Sequence, residues 1–279
     1  MMQAAASWEL SRRALSLDRP LVMGILNVTP DSFSDGNRFF SLEAAVARAQ
    51  EMEREGADII DIGGESTRPN AVAVDLAREL DRVIPVIEAL AGKISVPISI
   101  DTYKAGVARA ACAAGAEIVN DVTGLMFDPA MAQVAAEAQA GLVVMHTSGM
   151  PDTMQARTGY NDLVAEVKRY LEHSLALALA AGIPAARVAV DPGLGFGKSV
   201  EGNLELIRRL AELRSLGRPI LVGPSRKSFI GTVLGRGGGE RIFGTAAAVA
   251  VSIAHGASIV RVHDVAAMKD VAVMTRALV

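Results

Sequence analysis

Leu21-Val22-Met23-Gly24-Ile25-Leu26-Asn27 is apolar until its last position. It shows no alternation of polar and apolar residues, so it reads as a strand buried on both faces, the habit of a parallel sheet. Working outward, the same kind of run recurs at Asp58–Ile62, Pro97–Ile100, Glu117–Asn120, Leu142–His146, Val188–Val190, Ile220–Val222 and Ser258–Val262. Ala-rich amphipathic segments lie between the runs, among them Ser41–Glu55, Asp75–Leu90, Asp162–Ala180 and Asn203–Leu213. Ser41 is expected to cap the first of these helices and Gly56 to end it. Strand–helix units repeated eight times over about 250 residues predict an α/β protein of one domain, a TIM (β/α)8 barrel. The barrel core is expected over roughly 20–279, with 1–19 as an N-terminal extension. A doubly wound open sheet is the competing fold, weakened because no G-x-G-x-x-G turn follows the first strand. No linker or repeat divides the chain, and Gly235–Gly239 is expected to form a loop in its last third.

Hydrophobic residues make up 51% of the chain and aromatics only 4%, which favours close packing of aliphatic helices on strands over a β-sandwich. The formal net charge of −3 argues against a general nucleic-acid or anionic-membrane surface, so any anion site must be local. Cys112 is the single cysteine, which excludes an intrachain disulfide and a cysteine-rich zinc site. His146, His173, His255 and His263 have no metal-ligand spacing. No apolar run suits a bilayer, and Met1–Leu10 lacks the basic start and apolar stretch of a signal peptide. A cytoplasmic protein is expected.

In such a barrel the chemistry sits where strands end. The residues at those ends are Asn27, Asp61, Asp101, Asn120, His146, Asp191, the group Ser225 to Lys227, and Arg261 with His263. Any one could simply form a loop or cap a helix; together they suggest polar groups converging on one mouth. Asp101, Asn120 and Asp191, with Lys227 as a donor, match a flat heterocycle with an amino-pyrimidinone edge, such as a pterin. An unpaired polar edge would be costly to bury, so the pairing also confers selectivity. Arg68, Arg261 and His263, with Asn27 nearby, suit a phosphate or diphosphate. Asn27 could give an oxygen to Mg2+, which takes few protein ligands when it bridges phosphate oxygens.

Asp191-Pro192-Gly193-Leu194-Gly195-Phe196-Gly197-Lys198-Ser199 invites two misreadings. A P-loop needs glycine where Pro192 stands, and a dinucleotide fingerprint needs glycine where Lys198 stands. The glycines instead permit close backbone approach beside a flat ligand, with Phe196 either as one wall or as core. His146 is read as structural, hydrogen-bonding loop backbone, rather than as a general base. The scattered methionines read as core.

Taken in order, the motifs resemble those of the dihydropteroate synthases. Asn27-Val28-Thr29-Pro30-Asp31-Ser32-Phe33-Ser34-Asp35-Gly36 is similar to that family's first signature loop, and Asp61-Ile62-Gly63-Gly64-Glu65-Ser66-Thr67-Arg68-Pro69 to its second. Further matches are Ser99-Ile100-Asp101-Thr102, Asn120-Asp121-Val122, Met145-His146, Asp191-Pro192-Gly193 through Lys198, Ser225-Arg226-Lys227-Ser228 and Arg261-Val262-His263-Asp264. They cover almost the whole chain. The sequence departs from the family at Asn70, where Gly is common, and at Thr147, where Met is common.

The resemblance implies a homodimeric TIM barrel of folate biosynthesis and a target of sulfonamides. Asp101, Asn120, Asp191 and Lys227 would hold the pterin, with Met145 and Phe196 as apolar neighbours and Arg261 stacked over the ring. Asn27, Asp61, Arg68, Arg261 and His263 would hold pyrophosphate, with Asn27 also at Mg2+. Loops carrying Phe33, Asp35, Thr67 and Pro69 would close over 4-aminobenzoate beside Phe196, and Ser228 at a helix N-terminus would receive its carboxylate. Arg68, Arg261, His263, Lys227 and Asp35 would carry catalysis. The reaction implied is displacement of pyrophosphate from a pterin methylene by the neutral aryl amine, with leaving-group charge as the main barrier. A dissociative path, with Asp101 and Asp191 favouring a developing cation, is expected. Two alternatives are a pterin-dependent methyltransferase and a non-catalytic pterin-binding paralogue. A barrel aldolase or isomerase acting on another phosphate is a third, with Lys227 as its most plausible Schiff-base lysine.

Overall fold

The computed structural model describes residues 6–29, 38–66, 73–150, 153–156, 158–236 and 241–279. Ten strands are formed among them: β1 Ser7–Glu9, β2 Ala14–Ser16, β3 Leu21–Asn27, β4 Ile59–Gly63, β5 Ile98–Asp101, β6 Ile118–Asp121, β7 Gly141–Met145, β8 Val188–Asp191, β9 Leu221–Val222 and β10 Ile259–Val262. The helices are α1 Arg38–Arg54, α2 Leu76–Leu90, α3 Ala105–Ala114, α4 Met131–Glu137, α5 Leu163–Ala180, α6 Val200–Arg208, α7 Ser228–Leu234, α8 Ile242–Ala254 and α9 Val265–Leu278. Strands β3 to β10 pair in parallel in the order β8-β7-β6-β5-β4-β3-β10-β9. A parallel bridge between Val190 and Ile220 joins the two ends of that sheet into a barrel.

The period-2 alternation of strand side chains sorts each barrel strand onto two faces. Outward-facing Val22, Ile60, Ile100, Val119, Val144, Val190, Val222 and Val260 pack under the helices in the main apolar cluster. Inward-facing Met23, Ile59, Ile118, Val143, Ala189, Leu221 and Ile259 fill the lower barrel. One inward step further along, at the C-terminal ends, the side chains become Asp61, Asn120, Met145, Asp191 and Arg261. Register keeps that tier level: Asp101 pairs with Asn120, Gly63 with Asp101, and Met145 with Asp191.

The N-terminal stretch is a built part of the barrel. β1 and β2 form an antiparallel hairpin, and Trp8, fully buried, joins the lower inner layer with Leu10. The Trp8 indole donates to the Arg187 carbonyl at 2.8 Å, which satisfies its one polar atom. This hairpin closes the end of the barrel opposite the polar tier.

Helix starts follow local chemistry. Asp75 accepts from the Arg78 amide at 2.8 Å and Asp162 from the Ala165 amide at 3.1 Å, so both act as N-caps. Ser41 does not cap α1, because the helix already begins at Arg38. Gly56, with φ +95°, turns the chain out of α1 as expected. The helix expected over Asn203–Leu213 starts earlier, at Val200, under a Ser199 cap that accepts from Gly202 at 3.0 Å. It gives way to a 3-10 segment at Leu210–Leu216. Gly235 ends α7 in the left-handed region; of the expected loop Gly235–Gly239, residues 237–239 lie outside the described residues.

Candidate active site

Arg261 is the centre of the upper tier. From β10 it reaches across the barrel, donating from Nε to Asp61 Oδ2 at 2.5 Å and from Nη2 to Asp101 Oδ2 at 2.6 Å. Asn120 donates its amide to the same Asp61 oxygen at 3.1 Å. Asp61 is fully buried, so it is the inner anchor that fixes Arg261 and Asn120. Oδ1 of Asp101 is buried with no hydrogen-bond partner among the described residues, an acceptor suited to an incoming N–H donor.

The charges shift each other accordingly. Burial pushes the Asp101 carboxyl up to about 7; Arg261 opposes that, while Asp61 and Glu79 add to it. Burial raises Asp191 to about 6 against the Gly193 amide and the Lys227 cation. Burial also works against the Arg261 cation, yet Asp61 and Asp101 hold its pKa above the ordinary guanidinium value.

Asp191, Met145, Phe196 and Lys227 form the opposite side. Val122, Met145, Met154 and Phe196 make an apolar cluster beside the polar tier. Lys227 lies with Nζ 4.2 Å from the centre of the Phe196 ring, a cation–π contact. Phe196 thus serves as wall and as support for a cation. Gly195, at φ +83°, permits this, since a Cβ there would meet Lys227 Cδ at 2.9 Å. The 191–198 turn is fastened from four directions. The Gly193 amide donates to Asp191, the Gly195 amide to Asn203 Oδ1, Gln155 to the Gly195 carbonyl and Tyr160 to the Gly197 carbonyl.

The residues expected on the phosphate side that the structure describes include those after β9 and at the end of β10. The Ser225 hydroxyl accepts the His263 amide at 3.2 Å and lies 2.9 Å from His263 Nδ1, which fixes the imidazole plane. Arg226 forks onto Asp264, so the turn before α7 and the segment after β10 move as one piece. Ser228 is the first residue of α7 and is exposed. Asn27 ends β3 opposite Gly63. Phe33, Asp35, Thr67, Arg68 and Pro69, and the Asn70 departure, lie outside the described residues.

One strand end departs from expectation. At β7 the inward residue is Met145; His146 falls on the outer side of the barrel wall and stays out of the mouth. Its ring packs edge-on against Tyr170, and Nδ1 meets Lys198 Nζ at 2.8 Å. Burial, then the Lys198 charge, pushes it down to about 2, so it is neutral and no general base at working pH. Its structural role holds, with a lysine rather than loop backbone as the ring's partner. Sequence reading missed Lys198 itself, a buried ammonium whose only signal was its place in a glycine-rich turn. It also missed the network under the second signature loop, where Lys104 binds Glu65 and Glu79, Tyr103 donates to Glu65, and Arg82 donates to the Gly64 carbonyl.

A barrel with an acidic slot, an apolar ledge and a cation-rich edge at its C-terminal mouth defines a class of enzyme that binds a flat, amino-substituted heterocycle beside a phosphorylated group. Comparison with known proteins narrows it: the family model described as pterin binding enzyme matches residues 23–263. The dihydropteroate synthase of Synechocystis sp. is 50% identical over 261 residues, covering 93% of this chain and 90% of the relative. The Xanthomonas albilineans dihydropteroate synthase solved with 4-aminobenzoic acid superposes with a TM-score of 0.92 at 46% identity, covering 99% of this chain and 98% of that one. The Burkholderia cenocepacia dihydropteroate synthase complexed with 7,8-dihydropteroate gives 0.89 at 44% identity, covering 99% and 97%. The chain belongs to the dihydropteroate synthase family.

Proposed function

We propose that the reaction of this family, condensation of 6-hydroxymethyl-7,8-dihydropterin pyrophosphate with 4-aminobenzoate to dihydropteroate and pyrophosphate, runs at this mouth with the following division of labour. Asp101 Oδ1 and Asp191 accept the pterin's N–H groups, and Asn120 and Lys227 pair with the rest of its polar edge. Met145 and Phe196 cover its apolar face. Arg261 stacks on the ring: two of its N–H donors are committed to Asp61 and Asp101, and the guanidinium has others for the departing diphosphate. His263, oriented by Ser225, and Arg68 complete the cationic edge. Asp61 acts on the diphosphate through Arg261, not by contact. By the family resemblance Phe33, Asp35, Thr67 and Pro69, which lie outside the described residues, would contact the aminobenzoate, and Ser228 would receive its carboxylate. The observation that carries this reading is Arg261 clamped between two buried carboxylates, each of which keeps one oxygen unpartnered among the described residues, that of Asp101 in the tier at the mouth.

The amine nucleophile is neutral at pH 7, so the site needs no strong base, and the neutral His146 is consistent with that. Leaving-group charge is the larger task, met by fixed cations in a site of low dielectric. Ionised Asp101 and Asp191 favour positive charge developing on the pterin methylene, which supports a dissociative path. Mg2+ would be held by the diphosphate with Asn27, at the end of β3, offering one neutral oxygen. An ion with few protein ligands, held mainly by diphosphate, fits such a site, and when bound it would neutralise charge on the leaving group.

A homodimer is supported by exposed apolar side chains on the neighbouring helices α7, α8 and α9, including Val233, Phe243, Val251, Val273 and Met274. Among the described residues no helix is long and apolar enough to cross a membrane. The deciding assay mixes the protein with the pterin pyrophosphate, aminobenzoate and Mg2+ and follows dihydropteroate and pyrophosphate. Equimolar products, suppressed by a sulfonamide in competition with aminobenzoate, support the reading. Absence of both products contradicts it.

A further inference from the structure

Lys198 is nearly inaccessible to solvent and stands outside the contacts just described. Its Nζ donates to His146 Nδ1 at 2.8 Å, to the Phe196 carbonyl at 2.8 Å and to the His146 carbonyl at 3.4 Å. An ammonium has three N–H donors, and here each has an acceptor. The bond to Nδ1 places the imidazole proton on Nε2. The same side chain therefore ties the residue following β7 to the turn following β8, the two segments that carry Met145 and Phe196 into the slot. A buried cation is costly, and the fold could tie the same segments with a neutral amide. A positive charge at that place calls for a further reason.

We propose that Lys198 is a positioning residue of the pterin slot: its ammonium locks the Met145 and Phe196 segments together and supplies the positive field that keeps Asp191 ionised toward the ligand. The inference rests on Asp191 being a pterin contact. Three cations act on Asp191: Lys227 on the turn before α7, Lys198 on the turn after β8 and Arg261 on β10; all three favour its charged form. Lys198 in turn faces Asp191, which supports its charge, and Lys227, which opposes it; burial brings it down to about 7. His146 is neutral, and the rings beside it are Tyr160 and Tyr170. Across the slot Asp61 and Asp101 are already held by Arg261. In the range where Asp191 takes up a proton, Lys198 is mostly charged, so its field acts where it is needed.

The test compares wild type with Lys198→Met and with Lys198→Gln, which keeps a polar side chain but loses the charge. If removal of the ammonium raises Asp191 by about one pH unit, the ionised fraction at pH 6 falls about fivefold, and kcat/KM for the pterin pyrophosphate falls with it. Both variants should move the acid limb of that profile upward by about one unit and leave KM for aminobenzoate within about twofold. An unmoved limb, or equal rises in both KM values, overturns the proposal, because a merely structural lysine would do that. Nitrogen NMR of histidine-labelled wild type supplies a check needing neither variant nor turnover. His146 should stay neutral, protonated on Nε2, from about pH 5 to about pH 6.5, where Lys198 is mostly charged. A proton on Nδ1, or titration near pH 6.5, overturns the proposal even if both variants fail to fold. Lack of turnover in wild type would instead remove the functional reading and leave the NMR result standing.

Discussion

Replacing Arg261 by methionine takes one cation from between two carboxylates that see almost no solvent. Removing one partner of a buried pair costs about 3–5 kcal/mol, because charge is left uncompensated. The Arg261 side chain is only 18% exposed, so screening by water reduces this little. Protonation offers relief, and it sets the pH dependence. Asp101 is already raised by burial to about 7 with Arg261 in place, and loss of the guanidinium raises it further. A carboxyl whose folded pKa lies above its unfolded value of about 3.9 contributes stability that is full below the unfolded pKa. That contribution is lost as pH rises through the folded pKa. Arg261→Met is therefore expected to cost about 1 kcal/mol more at about pH 8 than near pH 5, because the added loss accrues at about 1.4 kcal/mol per pH unit above the wild-type Asp101 value of about 7. Chemical denaturation at both pH values, with the wild type alongside, measures the difference. An equal loss at the two pH values, or none at either, would refute the view that Arg261 neutralises Asp61 and Asp101.

The same variant should turn over about 10²–10³-fold more slowly, by analogy with loss of one preorganised charge donor, in a steady-state pyrophosphate-release assay. In the wild type, kcat/KM for the pterin pyrophosphate should fall as pH drops through about 7 and about 6, where Asp101 and Asp191 take up protons and cease to be full acceptors; a profile flat to about pH 5 would contradict this. Trp8→Ala should lose about 3–5 kcal/mol in denaturation and leave both KM values unchanged, since the hairpin closes the end of the barrel away from the mouth. Gly193→Ala forces a left-handed residue with φ +70° and brings a Cβ to 2.0 Å from the His146 carbonyl. It should cost about 1–3 kcal/mol from backbone conformation alone, plus the displacement, and weaken pterin binding as seen in a fluorescence titration.

Much of the barrel was legible because parallel strands buried on both faces leave apolar runs, and all eight were located to within a residue or so at their ends. The site followed for the same reason: with a two-residue period, a polar residue after an inward apolar one must also point inward, as Asp61 follows Ile59 and Arg261 follows Ile259. His146 broke the inference because parity, not position at a strand's end, decides the face. The N-terminal hairpin was illegible because its strands are three residues each, too short for a periodic signal. Lys198 and the Glu65–Lys104–Glu79 network are long-range partnerships, and no local pattern announces which buried charge will meet which. Ser41 misled because the helix runs one turn further back to Arg38.

The central claim is that the slot between Arg261 and Lys227 is the pterin's, with Asp101 and Asp191 as its acceptors. A crystal structure of this protein with a bound pterin tests it most directly. The ring's N–H edge is expected within about 3 Å of Asp101 and Asp191, its face over Met145 and its other side against Arg261. A pterin bound elsewhere, or one whose amino edge turns away from both carboxylates, would contradict it.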